Sequence, residues 1–115
     1  MQFSPTKLLF ICSQNCWRSL TAERLFDNHP EVEARSAGTE PGARVRVTAG
    51  HVGWADIILV MERKHTDYLR HKFPEAVAGK RLITLRIPDK FQFMDHILQD
   101  VLRERLREHL GEDIL

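Results

Sequence analysis

The chain has 115 residues, 43% hydrophobic and 29% charged, and its formal net charge is +1. This composition predicts a single globular domain over residues 1–115, and the near-neutral charge argues against broad electrostatic binding of nucleic acid or a membrane. No apolar stretch approaches the ~18 residues of a membrane span, and the first residues, MQFSPTK, lack the pattern of a signal peptide. Two cysteines four positions apart do not suggest a disulfide scaffold, so we expect a cytoplasmic protein.

Apolar runs alternate with helical periodicities along the chain. The first run is apolar without alternation, as in strands that are buried on both faces of a parallel sheet. Asp95 precedes a stripe of leucines and occupies the position of a helix N-cap. The predicted strands are 7–12, 32–36, 56–61 and 81–87, and the predicted helices are 19–28, a short 45–53, 63–73 and a last one from Asp95 to Gly111. This order predicts the α/β class, with a four-stranded parallel sheet covered by helices on both faces.

The first predicted strand ends in a thiol and is followed by an arginine. Five residues, SQNCW, separate Cys12 from Arg18, and Ser19 comes next. Backbone amides in such a turn, together with the helix N-terminus, favour an anion. Arginine adds a planar fork for two phosphate oxygens, and the same positive field favours a thiolate. The pattern therefore predicts phosphoryl transfer through Cys12, with amides of Ser13, Gln14, Asn15, Cys16, Trp17 and Arg18 as the phosphate-binding groups.

The same spacing also has a purely structural interpretation. Free cysteine is among the most buried residue types, so Cys12 could be an inert residue at a strand end. Arg18 would then be a solvated residue in the first helical turn. The strand before the loop and the helical pattern after it favour the phosphate site over this alternative.

LLFICSQNCWRS resembles the signature of the low-molecular-weight protein tyrosine phosphatases. Three further stretches are similar in the same order: 36–39 (SAGT), 56–61 (DIILVM) and 87–89 (IPD), so the resemblance spans residues 7 to about 110. It implies a flavodoxin-like fold of the low-molecular-weight phosphatase type. The implied activity is hydrolysis of phosphotyrosine or other aryl phosphates, without a cofactor or a metal, through a phosphocysteine intermediate. The expected partner is a phosphorylated protein or a small aryl phosphate.

The resemblance also implies roles for single residues. Cys12 is the nucleophile, Arg18 holds the phosphoryl oxygens and Asp89 is the general acid, although a plain Pro-Asp turn would also explain Asp89. Asn15 holds the shape of the loop. Ser19 either bonds the thiolate or caps the helix, and the two roles are compatible.

Several positions carry open alternatives. Cys16 is either a small packing residue or a redox partner of Cys12. Phe91 and Phe93 either line an aromatic wall or pack in the core, and the six histidines are expected at the surface or partly buried. Gln14 replaces the glycine of the family loop, and the segment from Thr39 to Trp54 is shorter than in typical members, where it carries a rim and a supporting histidine.

Two other functions compete with the phosphatase. A thiol redox enzyme of the arsenate reductase type shares this fold and loop, but it needs further cysteines, and none follows Cys16. An inactive module that binds phosphate or a partner on the same fold is the second alternative. Gln14 and the shortened rim are the features that suggest it.

Overall fold

The computed structural model describes residues 4–115. Four parallel strands form one sheet in the order β2-β1-β3-β4. Their bounds are β1 (Thr6–Cys12), β2 (Val32–Gly38), β3 (Ile57–Val60) and β4 (Arg81–Thr84). The last five residues of β1 are all buried, as its unbroken apolar run predicts. The predicted α/β class with a four-stranded parallel sheet is confirmed.

Five helices connect and follow the strands. They are α1 (Arg18–Leu25), α2 (Ala49–Trp54), α3 (Arg63–Lys72), α4 (Pro74–Val77) and α5 (His96–Leu110). The sequence analysis ended a helix before Pro74 and missed α4, which begins at that proline because its fixed φ suits a first helical position. Asp95 caps α5 as predicted, because its carboxylate accepts from the backbone N–H groups of Ile97 and Leu98.

The helices cover both faces of the sheet. On one face, α1 and α5 pack on alternate residues of the central strands; this core includes Phe10, Leu59, Ala22, Phe26, Leu98 and Leu102. On the other face, α2, α3 and α4 pack on the residues between them; this core includes Leu9, Ile11, Ile58, Val60, Val52 and Leu69. The alternation of side chains along each strand assigns neighbouring residues to opposite cores.

The fourth strand is shorter than predicted. It ends at Thr84 rather than Ile87, and Arg86 has a φ of 57°, which takes the backbone out of the extended region. The N–H groups of Leu85 and Ile87 nevertheless donate to the carbonyls of Val60 and Met61, so this segment stays beside β3.

The strand order creates a topological switch point at the carboxyl end of β1. From β1 the chain crosses to β2 on one side, whereas β3 lies on the other side of β1. In open parallel sheets, ligands bind beyond the carboxyl ends of the strands at such a reversal. Cys12 ends β1 at this point, and Glu62 lies two residues beyond the end of β3. Among residues 4–115, none of the helices has the length and apolarity needed to span a bilayer.

Candidate active site

The loop from Cys12 to Arg18, here called the phosphate loop, turns its carbonyl groups outward. Residues 39–44, here called the rim segment, donate hydrogen bonds to these carbonyls. The N–H groups of Thr39 and Glu40 donate to the carbonyls of Cys12 and Ser13, both at 3.0 Å. Arg44 donates its N–H to the carbonyl of Gln14 at 2.9 Å and its side-chain Nε–H to that of Asn15 at 3.2 Å.

With the carbonyls bonded outward, the loop amides stay free on the inner side. The backbone N–H groups of Ser13, Gln14, Cys16 and Trp17 donate to no other group within residues 4–115. Asn15 has a φ of 57°, the left-handed conformation that asparagine tolerates better than most residues, as expected from the sequence. Unpaired amides on a strand-to-helix turn form a concavity that binds anions.

Gly38 allows β2 to approach the phosphate loop closely. A Cβ atom at this position would lie 2.5 Å from the carbonyl oxygen of Ser13 and 2.6 Å from the Cβ of Ala43. Its N–H donates to the carbonyl of Val45 at 2.8 Å and its carbonyl accepts from the N–H of Val47 at 2.9 Å, which holds the chain just after the rim segment against the end of β2. Only glycine fits between the loop and the rim segment.

The sulfur of Cys12 receives hydrogen bonds on the inner side of the loop. The backbone N–H of Asn15 donates to it at 3.2 Å, and the Oγ of Ser19 lies 2.9 Å away. The Nδ2 of Asn15 donates to the same Ser19 oxygen at 2.8 Å, so the Ser19 hydroxyl proton is directed to the sulfur. Trp17, not Ser19, occupies the N-cap position of α1, so Ser19 does not act as the helix cap.

Arg18 is only 2% exposed, and a buried guanidinium needs partners. Its Nη1 donates to Glu62 Oε1 at 2.7 Å and to the carbonyl of Ile87 at 2.8 Å. Burial raises the pKa of Glu62, but the hydrogen bond and charge of Arg18, with the charge of Lys64, outweigh it and lower the pKa. Because Nη1 is committed to these groups, Nε and Nη2 remain as the fork for an anion.

The loop encloses a cavity of about 130 Å³, and Asp89 closes its edge. The lining residues are Cys12, Ser13, Gln14, Cys16, Trp17, Arg18 and Asp89. The Asp89 carboxylate lies 3.7 Å from Arg18 Nε, and more than half of its side chain is exposed. The structure therefore brings Cys12, Arg18 and Asp89, the predicted nucleophile, phosphate ligand and general acid, to one pocket.

Two residues that support this pocket, the partly exposed Glu62 and the buried His65, were not singled out as site residues from the sequence. His65 is 1% exposed, so the expectation of a surface or partly buried histidine is wrong at this position. It accepts from the N–H of Glu62 through Nδ1 and contacts Ser13 Oγ through Nε2, both at 3.0 Å. The only sequence signal was their position directly after a buried strand, in the first turn of a helix.

The alternatives left open at the pocket have different outcomes. Phe91 packs in the core, which was one of its two alternatives, whereas Phe93 is exposed and fits neither; the aromatic side chain at the cavity edge is Trp17. Cys16 is exposed rather than a packing residue, because its Sγ lies on the loop surface within 3.6 Å of the Gln14 carbonyl. Gln14, where the family has glycine, donates through its side chain to Glu40 of the rim segment.

The fold and the pocket define a class of protein: an α/β domain with a cysteine-based phosphate loop after its first strand. A protein-arginine phosphatase of Geobacillus stearothermophilus is 31% identical over 96 residues, 63% of this chain and 65% of the relative. The chain thus spans 65%, less than two thirds, of the length of this curated relative. No family model matches the sequence.

Solved structures with the same fold include phosphatases of different specificity. The YwlE arginine phosphatase of the same Geobacillus species superposes with a TM-score of 0.71 at 25% identity, covering 94% of this chain and 92% of that one. The tyrosine phosphatase Wzb of Escherichia coli K30, in complex with phosphate, gives 0.73 at 22% identity over 91% and 96%. A low-molecular-weight protein tyrosine phosphatase of T. tengcongensis gives 0.66 at 19% over 87% and 92%. These similarities show that the chain has the fold shared by these phosphatases.

Proposed function

We propose that the protein is a cysteine-dependent phosphatase that hydrolyses phosphotyrosine or other aryl phosphate monoesters on proteins. The observation that carries this proposal is that Cys12, the loop residues with unpaired amides, Arg18 and Asp89 line one cavity of about 130 Å³. The relatives named above support phosphatase chemistry on this fold, but they differ in the phosphorylated residue.

In the first step, the Cys12 thiolate attacks phosphorus. An S–P bond forms while the P–O bond to the phenol breaks, and Asp89 donates a proton to the departing oxygen. The free Nε and Nη2 of Arg18 and the loop amides bind the equatorial oxygens, where charge is stabilised in the transition state. The Ser19 hydroxyl, 2.9 Å from the sulfur, stabilises the thiolate.

In the second step, water attacks the phosphocysteine. Asp89 accepts a proton from the water as the new O–P bond forms, the S–P bond breaks, and the thiolate and inorganic phosphate are released. Asp89 is exposed enough to reach both leaving group and water, and its approach to Arg18 Nε keeps it at the pocket edge.

Hydrolysis of phosphoarginine is the second candidate function, because the curated relative at 31% identity is a protein-arginine phosphatase. Both substrates could pack against Trp17, the aromatic side chain at the pocket edge, by ring stacking or by a cation–π contact. The two differ in the leaving group: a phenol has a pKa of about 10 and can depart as the phenolate, whereas guanidine is a much stronger base and departs with a proton on its nitrogen. Loss of the general acid should therefore reduce turnover of phosphoarginine more than that of an aryl phosphate.

The deciding experiment measures kcat/KM of the reduced protein with p-nitrophenyl phosphate, a phosphotyrosine peptide and a phosphoarginine peptide. Cys12→Ser should abolish turnover, and Asp89→Asn should lower it by about 10²–10⁴-fold. Asp95→Asn is the matched control: it lies in the same segment of chain, and asparagine also caps helices, so activity should be retained. Unchanged turnover in Cys12→Ser would rule out the mechanism, and an inert wild type that binds phosphate would favour the binding module.

A further inference from the structure

Ser13 lines the pocket next to Cys12 and carries a hydroxyl group as well as a backbone amide. The residue is only 6% exposed. Within residues 4–115 its Oγ has one hydrogen-bond partner, the Nε2 of His65 at 3.0 Å. The direction of that hydrogen bond decides what the hydroxyl can do.

The backbone fixes this direction. The N–H of Glu62 can only donate, and it points to Nδ1 of His65 at 3.0 Å, so Nδ1 carries a lone pair. A neutral imidazole then carries its proton on Nε2 and donates it to Ser13 Oγ. Burial, followed by the charge of Arg18, lowers the pKa of His65 to about 4, so the neutral form is kept at ordinary pH.

Because Ser13 Oγ accepts from His65, its own proton is available to a different acceptor. We propose that the Ser13 hydroxyl donates to a phosphoryl oxygen as an additional phosphate ligand, and that His65 is the positioning residue that orients it. This inference rests on the pocket of the proposed function. The loop then offers an oxyanion a hydroxyl donor in addition to its amides and Arg18. This hydroxyl is oriented by His65 on α3, outside the loop.

Two substitutions of His65 separate its two hydrogen bonds. In His65→Gln, the Nε2 of glutamine reaches the position of the imidazole Nε2 and can still donate to Ser13. In His65→Asn, the Oδ1 lies near the position of Nδ1, so the bond from Glu62 N–H is kept while the donor to Ser13 is lost. Ser13→Ala removes the hydroxyl itself.

The experiment measures the dissociation constant of inorganic phosphate by calorimetry and kcat/KM with p-nitrophenyl phosphate. Ser13→Ala should weaken phosphate binding about tenfold or more, since a hydrogen bond to a charged group is lost. His65→Asn should weaken phosphate binding by at least about threefold, whereas His65→Gln should stay within about threefold of wild type. The double variant, Ser13→Ala with His65→Asn, should bind phosphate no more weakly than Ser13→Ala alone. Phosphate binding of Ser13→Ala within about twofold of wild type, or losses that multiply in the double variant, would overturn the proposal.

A measurement on the wild type covers the case in which a variant does not fold. Long-range ¹H–¹⁵N correlation spectra should show His65 protonated on Nε2 alone, with a shift when inorganic phosphate is added. Protonation on Nδ1, or an Nε2 signal that phosphate leaves unchanged, would overturn the proposal. If the phosphate affinities of the wild type and the variants follow the expected order but the wild type hydrolyses no substrate, only the proposed phosphatase activity would be refuted.

Discussion

The buried imidazole of His65 makes the stability of the protein depend on pH. Its pKa falls from 6.5 to about 4, first because burial disfavours the cation and second because Arg18 lies close. Lys64 lowers it further, whereas Glu62 and Asp89 act in the opposite direction. Between these pH values the unfolded chain binds a proton that the native state does not bind, so lowering the pH favours unfolding.

The magnitude follows from the size of this shift. One pKa unit corresponds to about 1.36 kcal/mol, so a fall from 6.5 to about 4 gives a contribution of about 3 kcal/mol. That contribution is fully present above pH 6.5 and is lost as the pH falls to about 4.

Urea unfolding of wild type and His65→Gln, from about pH 7 to about pH 4, isolates this contribution. Glutamine keeps the donor to Ser13 but does not titrate, and the other ionisable groups are common to both proteins. The wild type should lose about 3 kcal/mol more of its free energy of unfolding than the variant over this range. Parallel curves for the two proteins would show that the native state does not disfavour the His65 cation, contrary to its burial.

Two further substitutions test the packing around the nucleophile. Gly38→Ala places a Cβ 2.5 Å from the Ser13 carbonyl oxygen and should cost about 1–3 kcal/mol in thermal unfolding, with a loss of phosphate affinity. Gly53→Ala, where nothing lies within 4 Å, is its control and should be neutral or slightly stabilising; equal effects would contradict the close approach. Ser19→Ala removes the hydroxyl at the sulfur and leaves the Asn15 Nδ2 without its acceptor, so we expect a loss of about 1–3 kcal/mol and a lower kcat. A variant with wild-type kcat would show that this hydroxyl does not assist the thiolate.

The sequence predicted the parts of the site that depend on contiguous residues. Cys12, Asn15 and Arg18 lie on one short loop, so a strand before it and a helix after it are enough to bring them together. Asp89 was predicted through the family resemblance, and the structure places it at the same cavity.

The supporting groups could not be predicted in the same way. Glu62 and His65 reach the loop only because β3 lies beside β1, with Ile11 paired to Val60, and that register depends on the packing of the whole sheet. The identity of the aromatic residue at the pocket also depended on loop conformation. Phe91 turns into the core while Trp17 faces outward, and hydrophobicity alone favours burial of both.

The bonding of the loop carbonyls to residues 39–44 has a consequence for ligand affinity. Each outward carbonyl is already held by a neighbouring stretch of backbone or by Arg44, so the concave shape is fixed when the chain folds and not when an anion arrives. Little conformational entropy is then left to be lost on association. Tetrahedral oxyanions of similar size and charge, such as sulfate, arsenate and vanadate, should therefore compete with phosphate for this preorganised loop. Amide hydrogen exchange along the rim segment should change little when they bind.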